Sequence, residues 1–379
     1  WLKVCDSDFH FVKWQSISRV LISARSRIII MGAQVQSGIR RVLFQPPEAS
    51  YTPDAVATRS GFVTLENKFG DSFTAWHFSG RSSSTTAPAD HEDDVFGEDP
   101  KFTLLFSHAN AEDLGLCLNF LRDVGRYLKV NVLAYDYCGY GVSTGSPCEQ
   151  NLYANAEAAY TYLRDGLGVP WQSILVYGRS IGTGPTTYLA ANAPVRGVVL
   201  QAPMASIFRI LFDLRFTLPG DQFANTDRIG RVEAPVCIVH GVNDEIVPVW
   251  HGVQLFQKLR RPVEPLWVAG GDHNDLDTAA VLRRVRGFLS ELGTMGVSDG
   301  QLAQAEKWDR ERFGGGGGGE READPRRVVQ TGGRGPPTGL SPRSGRDAPL
   351  QLMRGDHAIE IRSPDTTPSS AASLRGGRP

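Results

Sequence analysis

The sequence predicts an α/β fold, a mostly parallel central sheet with helices on both faces. Two observations carry this. Short apolar runs of four to six residues alternate with helix-period segments across residues 41–297, and strands separated by helices pair in parallel. Residues able to do chemistry fall just after several of these runs, at the strand ends where open parallel sheets bind ligands.

The strand candidates are Phe102–Ser107, Val130–Tyr135, Ile174–Tyr177, Val195–Leu200, Val236–His240 and Pro265–Val268. Each is long enough for a strand buried on both faces and too short for a helix. Between them lie the helices. Leu114–Leu128 repeats Leu114, Leu118, Leu121 and Val124, the spacing of a stripe facing a core. Asn151–Leu163 is Ala-rich with Tyr and Leu on one side, and Gly184–Ala191, Trp250–Leu259 and Thr278–Leu292 complete the set.

The 379 residues divide into three zones. Residues 1–40 are an N-terminal extension and 41–297 the folded domain. Residues 298–379 are a polar helix, Asp299–Phe313, and a tail rich in Gly, Pro, Arg and Ser. The tail is expected to be disordered, because so few large apolar residues cannot offset the chain entropy of folding. A net charge of −1 gives no argument for nucleic acid as a partner. Cys5, Cys117, Cys138, Cys148 and Cys237 form no Cys-x-x-Cys pair, which fits a reducing compartment. No apolar run approaches the ~20 residues of a membrane helix. Ile28–Met31 is too short for the apolar region of a signal peptide. A monomer is expected.

The stretch ILVYGRSIGTGP, Ile174–Pro185, runs from a strand through Gly178, Arg179, Ser180, Ile181 and Gly182 into a helix. That is the setting of a nucleophile elbow, whose flanking glycines avoid collisions across the turn. The helix that follows aims its N-terminal amides at a developing oxyanion. Alone the pentapeptide is a weak signal, since an inert glycine turn would look the same. A phosphate loop would need the Gly-Lys-Ser/Thr that is missing. The partners decide. A serine nucleophile needs a general base, and the base an orienting acid, in the chain order Ser, Asp or Glu, His. Asp244 follows one strand in CIVHGVNDEIVP, and His273 follows the next in LWVAGGDHNDLD.

Ser180, Asp244 and His273 are therefore the candidate catalytic residues. Glu245 lies one place farther from its strand, and Asp272, Asp275 and Asp277 read as solvating the His273 loop. His240 reads as a structural histidine bonded to backbone, and His251 as a helix-surface residue. His91–Asp94 reads as a solvated loop rather than a metal cluster. The oxyanion donors are the amides of Ile181 and Asn110, with Ala111 the alternative and His108 bracing the loop. No cofactor and no metal is expected.

Taken together, LLFSHANAEDLG, NVLAYDYCGYGVSTGSPCEQNLYANAEAAYTYL, ILVYGRSIGTGP, VRGVVLQAPMAS, VCIVHGVNDEIVP and GGDHNDLD resemble the α/β-hydrolase domain-containing protein 17 family. The resemblance runs from Phe44 to near Leu292. More distantly the chain is similar to Bem46-like hydrolases and to enzymes labelled serine aminopeptidases. The resemblance implies an α/β-hydrolase fold with a short apolar insertion as a lid. It implies a serine hydrolase that removes palmitate from membrane-associated proteins, with Ser180, Asp244 and His273 as its triad. The implied partners are S-acylated proteins and the cytoplasmic face of a membrane. A thiolate leaving group, with a pKa near ~8.5, needs little acid assistance, which disfavours amide cleavage.

Two departures from the family pattern stand out. The family has His-Gly-Asn-Ala where this chain has His108-Ala109-Asn110-Ala111. If that position has positive φ, alanine costs about 1 kcal/mol there. Animal members also carry an acylated N-terminal cysteine cluster, and here only Cys5 lies in that region. The chain begins at Trp1, and its first methionine, Met31, precedes Gly32. Initiation at Met31 would expose Gly32 to myristoylation, a near match because Ser37 is one position late. Arg40 and Arg41 would add attraction to anionic headgroups.

The segment between the strands ending at Leu200 and His240 holds Met204, Ile207, Phe208, Ile210, Leu211, Phe212, Leu214 and Phe216. Apolar residues on more than one helical face fit either plain lid packing or an acyl-chain pocket, with Met204, Phe208, Leu211 and Phe212 as its lining. Two other functions share these residues: a monoacylglycerol or general ester hydrolase, and a non-catalytic hydrolase fold used for binding.

Overall fold

The structure is a computed structural model that describes residues 43–79, 100–212 and 216–313. The expectations for Cys5, Met31, Gly32, Arg40, Arg41, His91–Asp94, Leu214 and the C-terminal tail lie outside the described residues.

Eight strands form one sheet: β1 (Phe62–Glu66), β2 (Ser72–Phe78), β3 (Thr103–Ser107), β4 (Asn131–Tyr135), β5 (Ile174–Arg179), β6 (Gly197–Gln201), β7 (Val236–Gly241) and β8 (Leu266–Val268). Their order is β1-β2-β4-β3-β5-β6-β7-β8. From β4 to β8 every pairing is parallel, while β2 pairs antiparallel with both β1 and β4. The hairpin β1–β2 is not among the runs read as strands from the sequence. Its turn is closed by Asn67, whose side-chain oxygen accepts from the Phe69 amide at 2.9 Å, and by Gly70 at φ 83°, a conformation that favours glycine.

Nine helices are described: α1 (Pro53–Thr58), α2 (Leu114–Leu128), α3 (Glu149–Thr161), α4 (Thr183–Asn192), α5 (Ile207–Phe212), α6 (Asn225–Arg228), α7 (Trp250–Phe256), α8 (Thr278–Thr294) and α9 (Asp299–Phe313). The predicted stripe on α2 is the one that is buried, and Asp113 caps the helix by accepting from the Leu116 amide. Helices α2 and α8 cover one face of the sheet, where Leu121, Val285 and Phe288 meet Leu104, Val132 and Val239. Helices α3 and α4 cover the other, where Tyr160 and Leu189 meet Leu105, Val176 and Ile238. Apolar residues on both strand faces are why β3, β5, β6 and β7 read as unbroken apolar runs.

Helix α9 corrects the domain boundary drawn at residue 297. Gln301 is buried and donates to the Val195 carbonyl at 2.8 Å, and the Trp308 ring meets Tyr160 edge-on at 5.3 Å. The fold therefore extends through this helix.

The insertion between β6 and β7 is corrected as well. Met204 and Ile207 are 2% exposed and belong to the core, and Phe208 packs partly against it. Leu211 and Phe212 are 45% and 59% exposed, so the four residues named for an acyl pocket do not share a wall. A buried pair, Arg209 and Asp221 at 3.6 Å, holds the insertion together. The Arg209 guanidinium also donates to Ser206 at 3.0 Å and Thr217 at 3.1 Å.

Candidate active site

Four parallel strands deliver the site. β5 ends in the elbow, β3 in the Ser107–Glu112 loop, β7 in the Asp244 loop and β8 in the His273 loop, all at the carboxyl edge of the sheet. Ser180 sits at φ 53°, a strained conformation for a residue with a Cβ. The turn is so tight that a Cβ at Gly178 would lie 2.4 Å from the Gly182 carbonyl oxygen. One at Gly182 would lie 2.2 Å from the Ser107 carbonyl oxygen and 2.7 Å from that of His108. The elbow thus rests directly on the backbone of the Ser107–Glu112 loop, the candidate oxyanion loop, and only glycine permits the approach.

The structure brings the three residues named from the sequence together. The Ser180 hydroxyl is 2.9 Å from His273 Nε2, and His273 Nδ1 is 2.8 Å from Asp244 Oδ2. With Nδ1–H donating to the carboxylate, Nε2 is left to accept the serine proton. Asp244 Oδ1 accepts from the amides of Ile246 at 3.0 Å and Val247 at 2.7 Å. Burial pushes the Asp244 carboxyl up, but hydrogen bonds from His240, His273 and the Val247 amide outweigh it and hold the group well below the usual carboxylate range. Glu245, Asp272, Asp275 and Asp277 are exposed, and Asp277 caps α8.

The candidate oxyanion loop, Ser107–Glu112, is clamped from several sides. The Asn110 side chain donates to the Leu43 carbonyl at 2.6 Å and accepts from Tyr140 at 2.7 Å and the Gln45 amide at 3.1 Å. The His108 carbonyl accepts from Tyr137 at 2.6 Å. The His108 ring lies 3.3 Å from the buried Asp136 carboxylate, which also accepts from the Leu114 amide and from Tyr51. Burial opposes charging of His108, yet the bond and charge of Asp136 outweigh it and raise its pKa. Ala109 is not among the non-glycine residues at positive φ, which are Lys129, Ser180, Ala202 and Phe223 among those described. Alanine in place of the family's glycine therefore introduces no backbone strain there.

Several contacts have no counterpart in the sequence reading. Arg179 binds Glu112 at 2.6 Å, and Glu112 accepts from the Ala109 amide at 3.1 Å, tying the elbow to the oxyanion loop. A charged residue at the end of a buried strand was the available signal, since such a group needs a partner. His251, read as a surface residue, is buried and accepts from the Ala205 amide at 3.0 Å. His240 bonds to backbone as expected, but it also lies 3.2 Å from Asp244 Oδ2.

Beside His273 opens a cleft of about 270 Å³ between α2 and α8. Its apolar walls are Phe106, Leu116, Phe120, Leu276, Val281 and Leu282, and Glu112 and Arg179 border it. Among the described residues no helix is long and apolar enough to cross a membrane.

The human α/β-hydrolase domain-containing protein 17B is 37% identical over 263 residues, covering 66% of this chain and 90% of that protein. The chain belongs to the α/β-hydrolase domain-containing protein 17 family. The 17C protein of Xenopus laevis is 45% identical over 192 residues, half of this chain and 62% of that one. No family model matches. Among solved structures, the Pyrococcus furiosus esterase Pf2001 aligns at 16% identity and a TM-score of 0.49, over 65% of this chain and 98% of its own. Est1E from Butyrivibrio proteoclasticus aligns at 17% identity and a TM-score of 0.47, over 62% of this chain and all of its own. The protein is an α/β hydrolase, with the mostly parallel sheet and flanking helices of that fold.

Proposed function

We propose that this hydrolase cleaves long-chain S-acyl thioesters of membrane-associated proteins through an acyl-serine intermediate. The observation that carries the proposal is the Ser180–His273–Asp244 relay, with contacts of 2.9 and 2.8 Å, beside a cleft whose apolar side chains, Phe106, Leu116, Phe120, Leu276, Val281 and Leu282, would line part of an acyl chain. His273 Nε2 takes the Ser180 proton as the serine oxygen attacks the acyl carbonyl carbon. Asp244 holds the imidazole and stabilises its cation. The oxyanion sits between the amides of Ile181 and Asn110. The cysteine sulfur leaves and takes the proton from His273, and a water activated by the neutral imidazole then frees the fatty acid and restores the Ser180 hydroxyl.

The cleft between α2 and α8 is a better seat for the chain than the insertion. Its walls are contiguous and touch His273, whereas Met204 fills the core and Phe212 faces solvent. Peptides bearing S-palmitoyl cysteine test the proposal against short soluble esters and amides. Faster turnover of the palmitoyl thioester, lost in Ser180→Ala, is expected. Preference for an acetate ester would favour the general esterase reading. Fluorophosphonate labelling that persists in Ser180→Ala would remove the nucleophile assignment. The membrane attachment belongs to the same proposal. Forms starting at Met31, with and without Gly32→Ala, should differ in pelleting with membranes.

A further inference from the structure

His240 is the next-to-last residue of β7 and has no exposed surface. Its Nε2 lies 2.7 Å from the Val247 carbonyl oxygen. A carbonyl only accepts, so Nε2 carries the ring proton. The same Nε2 lies 3.2 Å from Asp244 Oδ2, the oxygen that also accepts from His273 at 2.8 Å. The hydrogen points to the backbone carbonyl, and the carboxylate oxygen lies close beside the same N–H. On the far side of the ring, Nδ1 is buried without a hydrogen-bond partner and faces Gly252, where a Cβ would lie only 2.6 Å away. The ring fills a slot that glycine leaves open, and it presents one donor in one direction.

Asp244 consequently meets four donors: two amides on Oδ1 and two histidines on Oδ2. The amides fix one oxygen but leave the carboxylate free to tilt the other. His240 is the group that pins the second oxygen opposite His273. We infer that His240 is a positioning residue for the relay, fixing Asp244 Oδ2 in line with His273 Nδ1 and sharing the carboxylate's negative charge. Its hydrogen bond is first among the influences that lower the Asp244 pKa.

The consequence is specific. Without the His240 donor, the carboxylate's charge bears more fully on His273, so the base holds its proton to higher pH. The acidic limb of the rate profile, below which the base is protonated and idle, then moves upward. A histidine that only filled space would leave that limb where it is.

The test is the rate at which a fluorophosphonate labels the full chain between pH 5 and pH 9, a readout that needs no knowledge of the substrate. His240→Leu removes the donor and keeps bulk. Labelling should slow on the order of ten- to hundredfold, the size of effect seen when groups orienting a metal ligand from behind are removed. The acidic limb should rise by on the order of half a pH unit. His240→Gln restores an amide donor near the Nε2 position, so it should recover most of the rate and return the limb. If the Leu variant does not fold, His240→Met gives the same comparison.

A folded Leu or Met variant with wild-type rate and limb overturns the inference. So does an equal loss in the Gln and apolar variants with the limb unmoved. The inference rests on the serine-nucleophile reading above, and the two fail differently. An unlabelled wild type sinks that reading, whereas a labelled wild type indifferent to His240 sinks only this one.

Discussion

Gly182→Ala offers a sharp test of how the site is built. A Cβ there would lie 2.2 Å from the Ser107 carbonyl oxygen, and real Cβ atoms keep at least 3.0 Å from such an atom, so the gap must open by about 0.8 Å. Neither side can yield as a flexible side chain would. One is the elbow, and the other is the end of β3, held by parallel ladders on both flanks. The displacement therefore falls on the step between Ser180 and the Asn110 amide. A misplacement near 1 Å costs on the order of a hundredfold in rate, about 2.7 kcal/mol of barrier, with a further ~1–3 kcal/mol of stability lost to overpacking. Turnover of a thioester and fluorophosphonate labelling measure the first effect, and thermal unfolding the second. Gly230→Ala is the control, since its nearest neighbour would be 3.6 Å away, and it should stay within ~0.5 kcal/mol of wild type. A Gly182→Ala protein with normal kcat and Tm would refute the idea that the elbow bears on the oxyanion loop.

Other expectations follow from the same geometry. Asp244→Asn should retain its fold and lose on the order of 10⁴ in kcat by disfavouring the productive His273 tautomer, measured by steady-state hydrolysis. Ser180→Gly should abolish hydrolysis yet raise Tm by about 1–2 °C, because relieving φ 53° outweighs the chain entropy that glycine adds. The Asp244 carboxyl is held below its ordinary range in the folded state, so it stabilises the fold above a pH of about 4 and that contribution fades as the pH falls lower. Unfolding curves at pH 2–6 should therefore decline less steeply for Asp244→Asn than for wild type. Glu112→Gln should cost less than ~1 kcal/mol of stability, because its pair with Arg179 is partly exposed. It should lower kcat more than it raises KM, as a loosened oxyanion loop requires.

Much of this was legible in the chain itself. The bounds of α2 agree to the residue, because an apolar stripe at helical spacing follows a capping Asp113. The parallel strands declare themselves as unbroken apolar runs, and Ser180, Asp244 and His273 follow from residue type, order and strand end. The hairpin β1–β2 was less visible. Thr64 and Glu66 in β1 and Ser72, Thr74 and His77 in β2 interrupt the apolar pattern, and the pair lies at the sheet margin. Helix α9 has no apolar stripe to reveal that it docks. It is held by side chains such as Gln301 reaching the Val195 carbonyl, 106 residues away. The Arg179–Glu112 tie spans 67 residues, and the burial of His251 depends on an amide 46 residues away. Such pairings are decided by the closed fold, so no local window contains them.

The register Ser107↔Gly178 makes the loop after β3 and the elbow after β5 continuations of one and the same rung. Hydrogen-bonded strands stand about 4.8 Å apart whatever their side chains. The separation between the Ser180 elbow and the loop after β3 is therefore measured by the peptide backbone, a ruler that only a slipped register or a side chain wedged between the two, as at Gly182, would rewrite. Ala109 can replace glycine, and the insertion after β6 can change length and composition, while that spacing stays as it is.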